Sequence, residues 1–299
     1  ILRNGEKVGY CTPKNTSAKK IGEMMVGKSF SSPTRKNQTL GKELIKVSNL
    51  SVHSKDFFGT SLSNINFSVR VGEILGIGGV AGNGQDEFLG ALSGETKTSP
   101  TTVTLLNQSI GHLPPNKRRE LGLRAAPEER LGHAAAPAMS LIENTLMTSH
   151  SKDAIDKWGI INFNNISAKT SSIVSEFDVR TPTLNNTAAS LSGGNLQKFV
   201  IGREILENPK VFVVNQPTWG VDAAAAAFIR QSILNLASQQ SAVIVISQDL
   251  DELFEICDTF AVLTNGYMSK TYELGNLSSQ DVGLLMGGSD LDLDSHAET

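Results

Sequence analysis

The feature that most constrains the fold of this chain is a pair of short, wholly apolar segments in its second half. Residues 211–214 (VFVV) and 242–246 (AVIVI) are rich in β-branched side chains and carry no charge. Such runs are typical of central parallel strands that are covered on both faces. The alanine-rich segment 223–237 between them predicts a connecting helix. The sequence therefore predicts an α/β domain built on a parallel sheet.

Three further strands are predicted upstream, and the last of them runs straight into a glycine loop. Residues 44–52 and 62–69 alternate apolar and polar side chains, and residues 73–77 (EILGI) predict a buried strand. Gly79, Gly82 and Gly84 follow at once. This strand-loop-helix setting fits a phosphate-binding P-loop, in which bare backbone N–H groups surround phosphate oxygens. A plain strand-to-helix turn is the alternative.

The end of this loop departs from the P-loop pattern G-x-x-x-x-G-K-[ST]. Neutral Gln85 stands where a lysine would reach the β- and γ-phosphates, and Asp86 stands where a hydroxyl would bind Mg²⁺. One positive charge is lost and one negative charge is added beside a polyanion. We expect nucleotide to dock through the backbone around Gly82, Asn83 and Gly84, more weakly than in an intact P-loop.

A more specific motif lies in residues 190–198 (SLSGGNLQK) at the start of a predicted helix. Ser192, Gly193, Gly194 and Asn195 would present a hydroxyl and bare N–H groups to an anion there. A helix that is merely capped by serine is the alternative. Four other segments accompany this one in order: 127–130 (PEER) before it, then 211–218 (VFVVNQPT), 220–222 (GVD) and 246–249 (ISQD) after it.

Together these segments resemble the motifs of ATP-binding cassette (ABC) proteins, over residues 43–288. The LSGG core resembles the ABC signature, 127–130 the Q-loop, 211–216 the Walker B strand and 220–222 the D-loop. The segments GNGQ, PEER and MGG at 286–288 resemble most closely the second half of the tandem ATPases that drive bacterial simple-sugar and nucleoside importers. This resemblance implies an ABC-type fold with a parallel-sheet core, an antiparallel β subdomain and a helical subdomain.

An internal repeat also favours a chain with two related domains in tandem. Residues 1–5 (ILRNG) match residues 262–266 (VLTNG) at a shift of 262 − 1 = 261, and the same shift aligns 21–27 with 282–288 at three identical positions. A chance match of a hairpin and a helix is the alternative. We interpret residues 1–28 as the end of a first ABC domain, 29–42 as a linker, and 43–288 as a second ABC domain. Residues 289–299 are predicted to be a disordered acidic tail.

The resemblance also assigns the chemistry. In the family the Walker B aspartate holds Mg²⁺, the next glutamate polarises the attacking water, and a switch histidine contacts the γ-phosphate of ATP. Here these positions are Asn215, Gln216 and Gln248. An amide neither accepts a proton nor fixes a cation strongly. ATP is thus the implied ligand, Asn215 and Asp86 are weakened Mg²⁺ positions, and hydrolysis at this cassette's own site is expected to fail.

The intact signature implies a different role. In ABC dimers each ATP is clamped between the P-loop of one cassette and the signature of the other. This cassette would therefore complete the site of a partner, either the first domain of the same chain or a second copy, and would be an ATPase only when assembled. Asp222 would bridge the two cassettes. Glu128 would contact transmembrane permease subunits of an importer that also has a substrate-binding protein, at the cytoplasmic face of the bacterial inner membrane.

Composition narrows the other possibilities. The formal net charge is −3 and the pI is near 6.0, which argues against a nucleic-acid partner. Cys11 and Cys257 are too few for a disulfide framework.

A regulatory or assembly ABC protein that works without a permease is the rival function. Phe57 or Phe58 lies where the family stacks an aromatic ring on adenine, although packing in the core is the expected role of either.

Overall fold

The computed structural model describes residues 1–3, 5–12, 16, 20, 21, 24, 39–149, 160–277 and 279–288. Two predicted segments fall largely or wholly outside these residues. Only 39–42 of the linker predicted at 29–42 are described, and the acidic tail predicted at 289–299 lies beyond them.

The strands predicted in the second domain are all present, with shifts of a residue or so at their ends. In chain order the strands are β1 (Leu2–Arg3), β2 (Glu6–Lys7), β3 (Glu43–Val52), β4 (Leu62–Arg70), β5 (Ile74–Gly78), β6 (Val103–Leu105), β7 (Gln108–Ser109), β8 (Leu123–Ala126), β9 (Val211–Asn215), β10 (Ala242–Ser247), β11 (Thr259–Thr264), β12 (Tyr267–Met268) and β13 (Tyr272–Glu273).

The central sheet contains the two apolar segments. Among the described residues its strands lie in the order β12, β11, β5, β10, β9 and β8, with β13 paired to β11. Strands β8, β9, β10, β5 and β11 pair in parallel, and β12 and β13 pair with β11 in antiparallel fashion. The predicted parallel sheet is confirmed. A separate antiparallel sheet has the order β4, β3, β6 and β7.

Helices cover the central sheet and form a helical part between β8 and β9. They are α1 (Gln85–Ser93), α2 (Pro115–Glu120), α3 (Leu141–Thr148), α4 (Phe163–Glu176), α5 (Gly193–Ile205), α6 (Ala223–Ser238), α7 (Leu250–Ile256) and α8 (Ser279–Met286). No helix within the described ranges has the length and apolar character needed to cross a bilayer. With its parallel sheet, antiparallel sheet and helical part, the molecule has the predicted α/β class.

The central sheet is buried on both faces, as its apolar runs require. Along β9, Val211 and Val213 pack into the cluster shared with the antiparallel sheet and with Phe88 of α1. Phe212 and Val214 point the other way, into the cluster made with helices α4 to α7. Because successive strand side chains point to opposite faces, a fully apolar strand is the sequence counterpart of a sheet that is covered twice.

Helix α2 is anchored by a buried cation. The guanidinium of Arg118 is fully buried and donates to four backbone carbonyls, those of Ala91, Leu92, Gly111 and Leu113, at 2.6 to 3.0 Å. Burial lowers the pKa of Arg118 to about 10. The side chain therefore fixes α2 to the end of α1, and carbonyl groups rather than a carboxylate compensate its charge.

The amino-terminal segment forms a hairpin with the same register as a hairpin of the central sheet. Strands β1 and β2 pair Leu2 with Lys7, and β11 and β12 pair Leu263 with Met268. Both pairs correspond at the shift of 261 residues, and so do two hydrogen bonds: Val8 N–H to the Ile1 carbonyl at 3.1 Å, and Ser269 N–H to the Val262 carbonyl at 2.9 Å.

The two hairpins differ in their surroundings. Leu263 is completely buried in the core beside the central sheet, whereas its counterpart Leu2 is 67% exposed. The glycines at the turns adopt similar left-handed conformations, with φ of +83° at Gly5 and +79° at Gly266. The amino-terminal hairpin thus has the local structure of β11–β12 without the core that covers it.

Candidate functional site

An open cleft of about 970 Å³ lies at the edge where the parallel strands β5, β9 and β10 end. This is the edge at which open α/β sheets bind ligands. The predicted site residues that line the cleft are Gly82, Gln85, Asp86, Glu128, Gly193, Asn215, Gln216 and Gln248. The other predicted residues are absent from its lining: Gly79, Asn83, Gly84, Ser192, Gly194, Asn195 and Asp222.

The glycine loop connects β5 to α1 through backbone that favours glycine. Gly82 has φ +85°, and Gly84, which caps α1, has φ +104°. A Cβ atom at Gly84 would lie 2.7 Å from Leu62 Cδ2, so both the conformation and the space require glycine there. The loop thereby brings the amino terminus of α1 to the cleft, as predicted for a phosphate-binding turn.

The side chain of Gln85 folds back onto this loop. Its Oε1 accepts from the N–H of Asn83 at 3.0 Å, and its Nε2 donates to the carbonyl of Val80 at 2.9 Å. Gln85 is buried. The residue at the lysine position is therefore bonded within the loop at both ends of its amide.

Asp86 lies against Asn215 of β9. The Nδ2 of Asn215 donates to Asp86 Oδ1 at 3.3 Å, and Asn215 is almost completely buried. Burial raises the pKa of Asp86, the carboxylate of Glu87 raises it further, and the hydrogen bond from Asn215 opposes the shift. Compared with the family pattern, the carboxylate lies in the first turn of α1 instead of at the end of β9.

The side-chain oxygen atoms of Asn215 and Asp86 are of the type that binds Mg²⁺. The Oδ1 of Asn215 is buried and has no hydrogen-bond partner among the described residues, and it lies beside the carboxylate of Asp86. Mg²⁺ takes oxygen ligands and is usually held by one or two carboxylates together with substrate phosphates. In the part of the chain that the structure describes, no group of three or more His, Cys, Asp and Glu side chains could hold a metal ion.

Gln216 and Gln248 meet at the ends of β9 and β10. Gln216 has a left-handed φ of +50°, and its Oε1 accepts from the N–H of Gln248 at 3.4 Å. Both side chains are amides, so neither carries a proton-accepting group at neutral pH. The two predicted catalytic positions are brought together, and the chemistry of a general base is missing from both.

Two charged residues of this region were not predicted from the sequence to belong to the site. Glu252 of α7 is buried and accepts from the Ser247 hydroxyl at 2.8 Å, and burial raises its pKa. The guanidinium of Arg130 contacts the carbonyl of Trp219. In sequence, Glu252 looks like part of the acidic first turn of a helix, and Arg130 is only the last letter of the PEER segment.

The Q-loop segment presents its charges to the cleft. Glu128 is half-buried there, and its pKa is raised, mainly by burial and also by repulsion from the carboxylate of Asp86. Nearby, His133 makes a 3.0 Å hydrogen bond with Glu95. That hydrogen bond raises the pKa of His133 and lowers the pKa of Glu95. The permease contact predicted for Glu128 stays a prediction.

The signature segment opens helix α5 and is accessible. Ser192 caps the helix, and both Ser192 and Gly193 are exposed. The Nδ2 of Asn195 donates to the Ser192 hydroxyl at 2.9 Å. Asp222 caps α6 by accepting from the N–H groups of Ala224 and Ala225. A partner could therefore reach Ser192 and Gly193 from solvent. Asp222 has a structural role as a helix cap, and the bridging role predicted for it stays a prediction.

The expected core role of Phe57 or Phe58 is wrong. The two side chains are 92% and 90% exposed and pack edge to face on each other, with ring centroids 5.1 Å apart. The loop that carries them is fastened to helix α1, because Glu87 Oε1 accepts from the Ser54 hydroxyl and from the Thr60 N–H. Sequence spacing gave no sign of this tie.

Comparison with known families and proteins agrees with the fold. A family model described as "ABC transporter" matches residues 62–219. The guanosine import ATP-binding protein NupO of Bacillus subtilis is 33% identical over 291 residues, which are 97% of this chain and 57% of that protein. The nucleoside import ATP-binding protein NupA of Lactococcus lactis is 31% identical, over 97% of this chain and 58% of NupA.

The chain thus spans somewhat more than half the length of these curated relatives. Among solved structures, a nucleotide-free ATP-binding cassette from an ABC transporter matches with a TM-score of 0.63 and 20% identity, covering 82% of this chain and 96% of that one. The cassette MJ0796 bound to ADP and Pi matches with a TM-score of 0.63 and 18% identity, covering 77% of this chain and 99% of that one. At these identities the structural matches establish the fold alone.

Proposed function

The chain belongs to the ABC transporter family, and from this premise we propose that it is the ATP-binding, energy-coupling part of an importer for nucleosides or simple sugars. The names of its relatives support this choice, since they include import ATP-binding proteins for guanosine, for nucleosides and for galactose. The observation that carries the proposal is an exposed signature on a cassette whose water-polarising and switch positions hold the amides Gln216 and Gln248.

The cassette's own site is poorly equipped for hydrolysis. Gln85 replaces a cation, Asn215 replaces a metal-binding carboxylate, and Gln216 replaces the group that polarises water. Loss of a general base alone costs on the order of 10² to 10⁴ in rate. Since these losses concern different steps, we propose that ATP bound here, with Mg²⁺ held only by Asp86, Asn215 and the phosphates, is not turned over.

The signature is proposed to act on the site of a partner cassette. Ser192 and Gly193 stand exposed at the amino end of the 13-residue helix α5, where the helix dipole favours an anion. Arg130 packs beside this end, since a Cβ atom on Gly193 would lie 2.9 Å from Arg130 Nη1. Gly194, Asn195 and Asp222 complete the face that would close on the γ-phosphate held by the partner's P-loop.

The partner cassette is proposed to be covalently joined to this one. The hairpin at β1–β2 repeats the register of β11–β12, yet Leu2 is exposed where Leu263 is buried. Ile21 and Met24 are helical, as are their counterparts Val282 and Leu285 at the shift of 261 residues. These matches support residues 1–28 as the end of a first ABC domain. We propose residues 29–42 as the linker and 43–288 as the second domain.

Coupling to transport would pass through the Q-loop segment. Glu128 and Arg130 line the cleft and Arg130 also contacts Trp219 beside the D-loop, so closure of the two cassettes would move this segment. We propose that it moves against transmembrane permease subunits at the cytoplasmic face of the membrane. A substrate-binding protein would deliver the nucleoside or sugar to that permease.

The test measures ATP hydrolysis by the assembled importer in lipid vesicles, with Ser192→Arg in this cassette. We expect hydrolysis to be lost, because a bulky cationic side chain fills the face that contacts the γ-phosphate. Ser190→Arg is the matched control, since Ser190 is also exposed but precedes the helix. The 299-residue chain alone should hydrolyse ATP at least about 10²-fold more slowly than the assembly.

Either of two results contradicts the proposed function. One is wild-type hydrolysis by the assembly that carries Ser192→Arg. The other is hydrolysis by the isolated chain at the rate of the assembly, which would mean that the amide-bearing site is catalytically competent.

A further inference from the structure

The backbone donors of a glycine loop bind phosphate only if they are free to do so. In this loop the N–H of Asn83 already donates to Gln85 Oε1 at 3.0 Å. The amide of the same side chain also donates from Nε2 to the Val80 carbonyl at 2.9 Å. Gln85 therefore closes a ring across the loop, and its oxygen occupies a donor on which a phosphate oxygen would depend.

Asn83 is held firmly in this arrangement. Its Nδ2 donates to the same Val80 carbonyl at 3.0 Å, and its Oδ1 accepts from the N–H of Asn265 at 2.8 Å. Its own carbonyl accepts from the N–H of Gly266 at 3.0 Å. Because the position of Asn83 is fixed by these contacts, a phosphate can recruit its N–H only by displacing the Gln85 amide.

We propose that Gln85 is an internal ligand of the glycine loop, which competes with the phosphate chain of ATP for the N–H of Asn83. The inference rests on the proposed function, because it takes ATP as the ligand of this cleft. It goes further by assigning part of the weak binding to competition from within the loop, in addition to the missing lysine charge.

The two contributions make opposite predictions for one substitution. Methionine has about the length of glutamine but no amide, so Gln85→Met removes the competitor without restoring a charge. If the missing lysine is the whole cause of weak binding, Gln85→Met binds ATP as the wild type does, or less well. If Gln85 competes for the donor, the variant binds ATP more tightly.

The experiment measures binding of Mg²⁺-ATP to the 299-residue chain by isothermal titration calorimetry. We expect Gln85→Met to bind about three- to tenfold more tightly than the wild type, the factor that corresponds to about one neutral hydrogen bond. Gln108→Met is the matched control, since Gln108 is exposed on β7 and outside the cleft. It should leave the affinity unchanged.

Hydrogen exchange gives a second readout that does not depend on affinity. The Asn83 amide should exchange slowly in the wild type and faster in Gln85→Met, while the Gly266 amide, bonded to the Asn83 carbonyl, keeps its protection. The inference is overturned if the exchange of Asn83 is unchanged. It is equally overturned if that exchange rises while ATP binding does not tighten.

These outcomes differ from a failure of the proposed function. Should Gln85→Met bind no more tightly while Ser192→Arg still abolishes hydrolysis in the assembly, only the competition is wrong. Should Gln85→Met bind more tightly while Ser192→Arg retains hydrolysis, the glycine loop behaves as inferred and the role of the signature is wrong.

Discussion

Substitution of Asn215 by the aspartate that the family carries should damage this protein rather than repair it. The Nδ2 of Asn215 lies 3.3 Å from the carboxylate of Asp86, in a place where Asn215 is almost completely buried. Asn215→Asp replaces an attractive hydrogen bond by two carboxylates in contact. The carboxylate at Asp86, which the family pattern lacks, is what makes this substitution unfavourable.

The magnitude follows from the distance and from protonation. Two unit charges 3.3 Å apart repel by about 5 kcal/mol at an effective dielectric constant near 20. The protein limits this cost by binding one proton, which for a carboxyl of pKa about 3.9 costs about 4 kcal/mol at pH 7 and about 1.5 kcal/mol at pH 5. Because Asp86 is exposed and solvent screens part of this repulsion, we expect Asn215→Asp to lower the free energy of unfolding by about 2–4 kcal/mol at pH 7.

The sign of the pH dependence follows from linkage. In the folded variant the carboxyl pair has a raised pKa, so the folded state binds more protons than the unfolded state and stability falls as the pH rises. Urea unfolding at pH 5 and pH 7 measures the difference. Millimolar Mg²⁺ should restore stability to Asn215→Asp more than to the wild type, because a divalent cation between two carboxylates removes their repulsion.

The double variant Asn215→Asp with Asp86→Ser is the control, since it restores the family's arrangement of one hydroxyl and one carboxylate. It should be more stable than Asn215→Asp alone at pH 7. The reasoning is refuted if Asn215→Asp changes the free energy of unfolding by less than about 1 kcal/mol at pH 7, or if its effect is the same at pH 5.

Three further substitutions test the structure. Arg118→Met should lower the free energy of unfolding by about 3–5 kcal/mol, because four buried carbonyls lose their donor, whereas exposed Lys117→Met should have little effect in the same urea titration. Glu95→Gln should lower the free energy of unfolding by less than about 1 kcal/mol at pH 6 and should leave it unchanged at pH 9. The pKa of His133 is higher in the folded state than in the unfolded state, so its ion pair with Glu95 stabilises the fold below the unfolded pKa. That stabilisation is lost as the pH rises through the folded pKa. Gly84→Ala should cost about 1–3 kcal/mol in thermal unfolding, since its φ of +104° disfavours a side chain; a cost near zero would contradict the loop geometry.

Local patterns in the sequence predicted the sheet because a strand buried on both faces is apolar at every position. The uniformly apolar β9 and β10 could be recognised one strand at a time. Each copy of the repeat is a short hairpin whose pattern lies within a few residues, and the hairpin at β1–β2 has the register that the repeat predicts. The glycine loop and the accessible signature followed from spacing, since a loop between a strand and a helix depends on its nearest neighbours.

Contacts between distant segments could not be predicted in this way. Asp86 and Asn215 meet across 129 residues, and only the folded sheet brings the carboxylate to the amide. The same holds for Phe57 and Phe58, whose apolar character suggested the core. Their loop is held outside the core by hydrogen bonds to Glu87, and the pattern of a single segment does not predict hydrogen bonds to a distant one.

The turn at Asn265–Gly266 is held by two hydrogen bonds to Asn83, although Asn83 precedes Asn265 by 182 residues in the sequence. During synthesis the glycine loop therefore leaves the ribosome long before the segment that supports it. At a typical rate of about 5–20 residues per second, that interval lasts on the order of ten seconds or more. We expect a nascent chain arrested before residue 259 to show rapid hydrogen exchange in the glycine loop, and a chain arrested well after residue 273 to show protection there. Nucleotide then meets a finished loop only once nearly the whole cassette has been made.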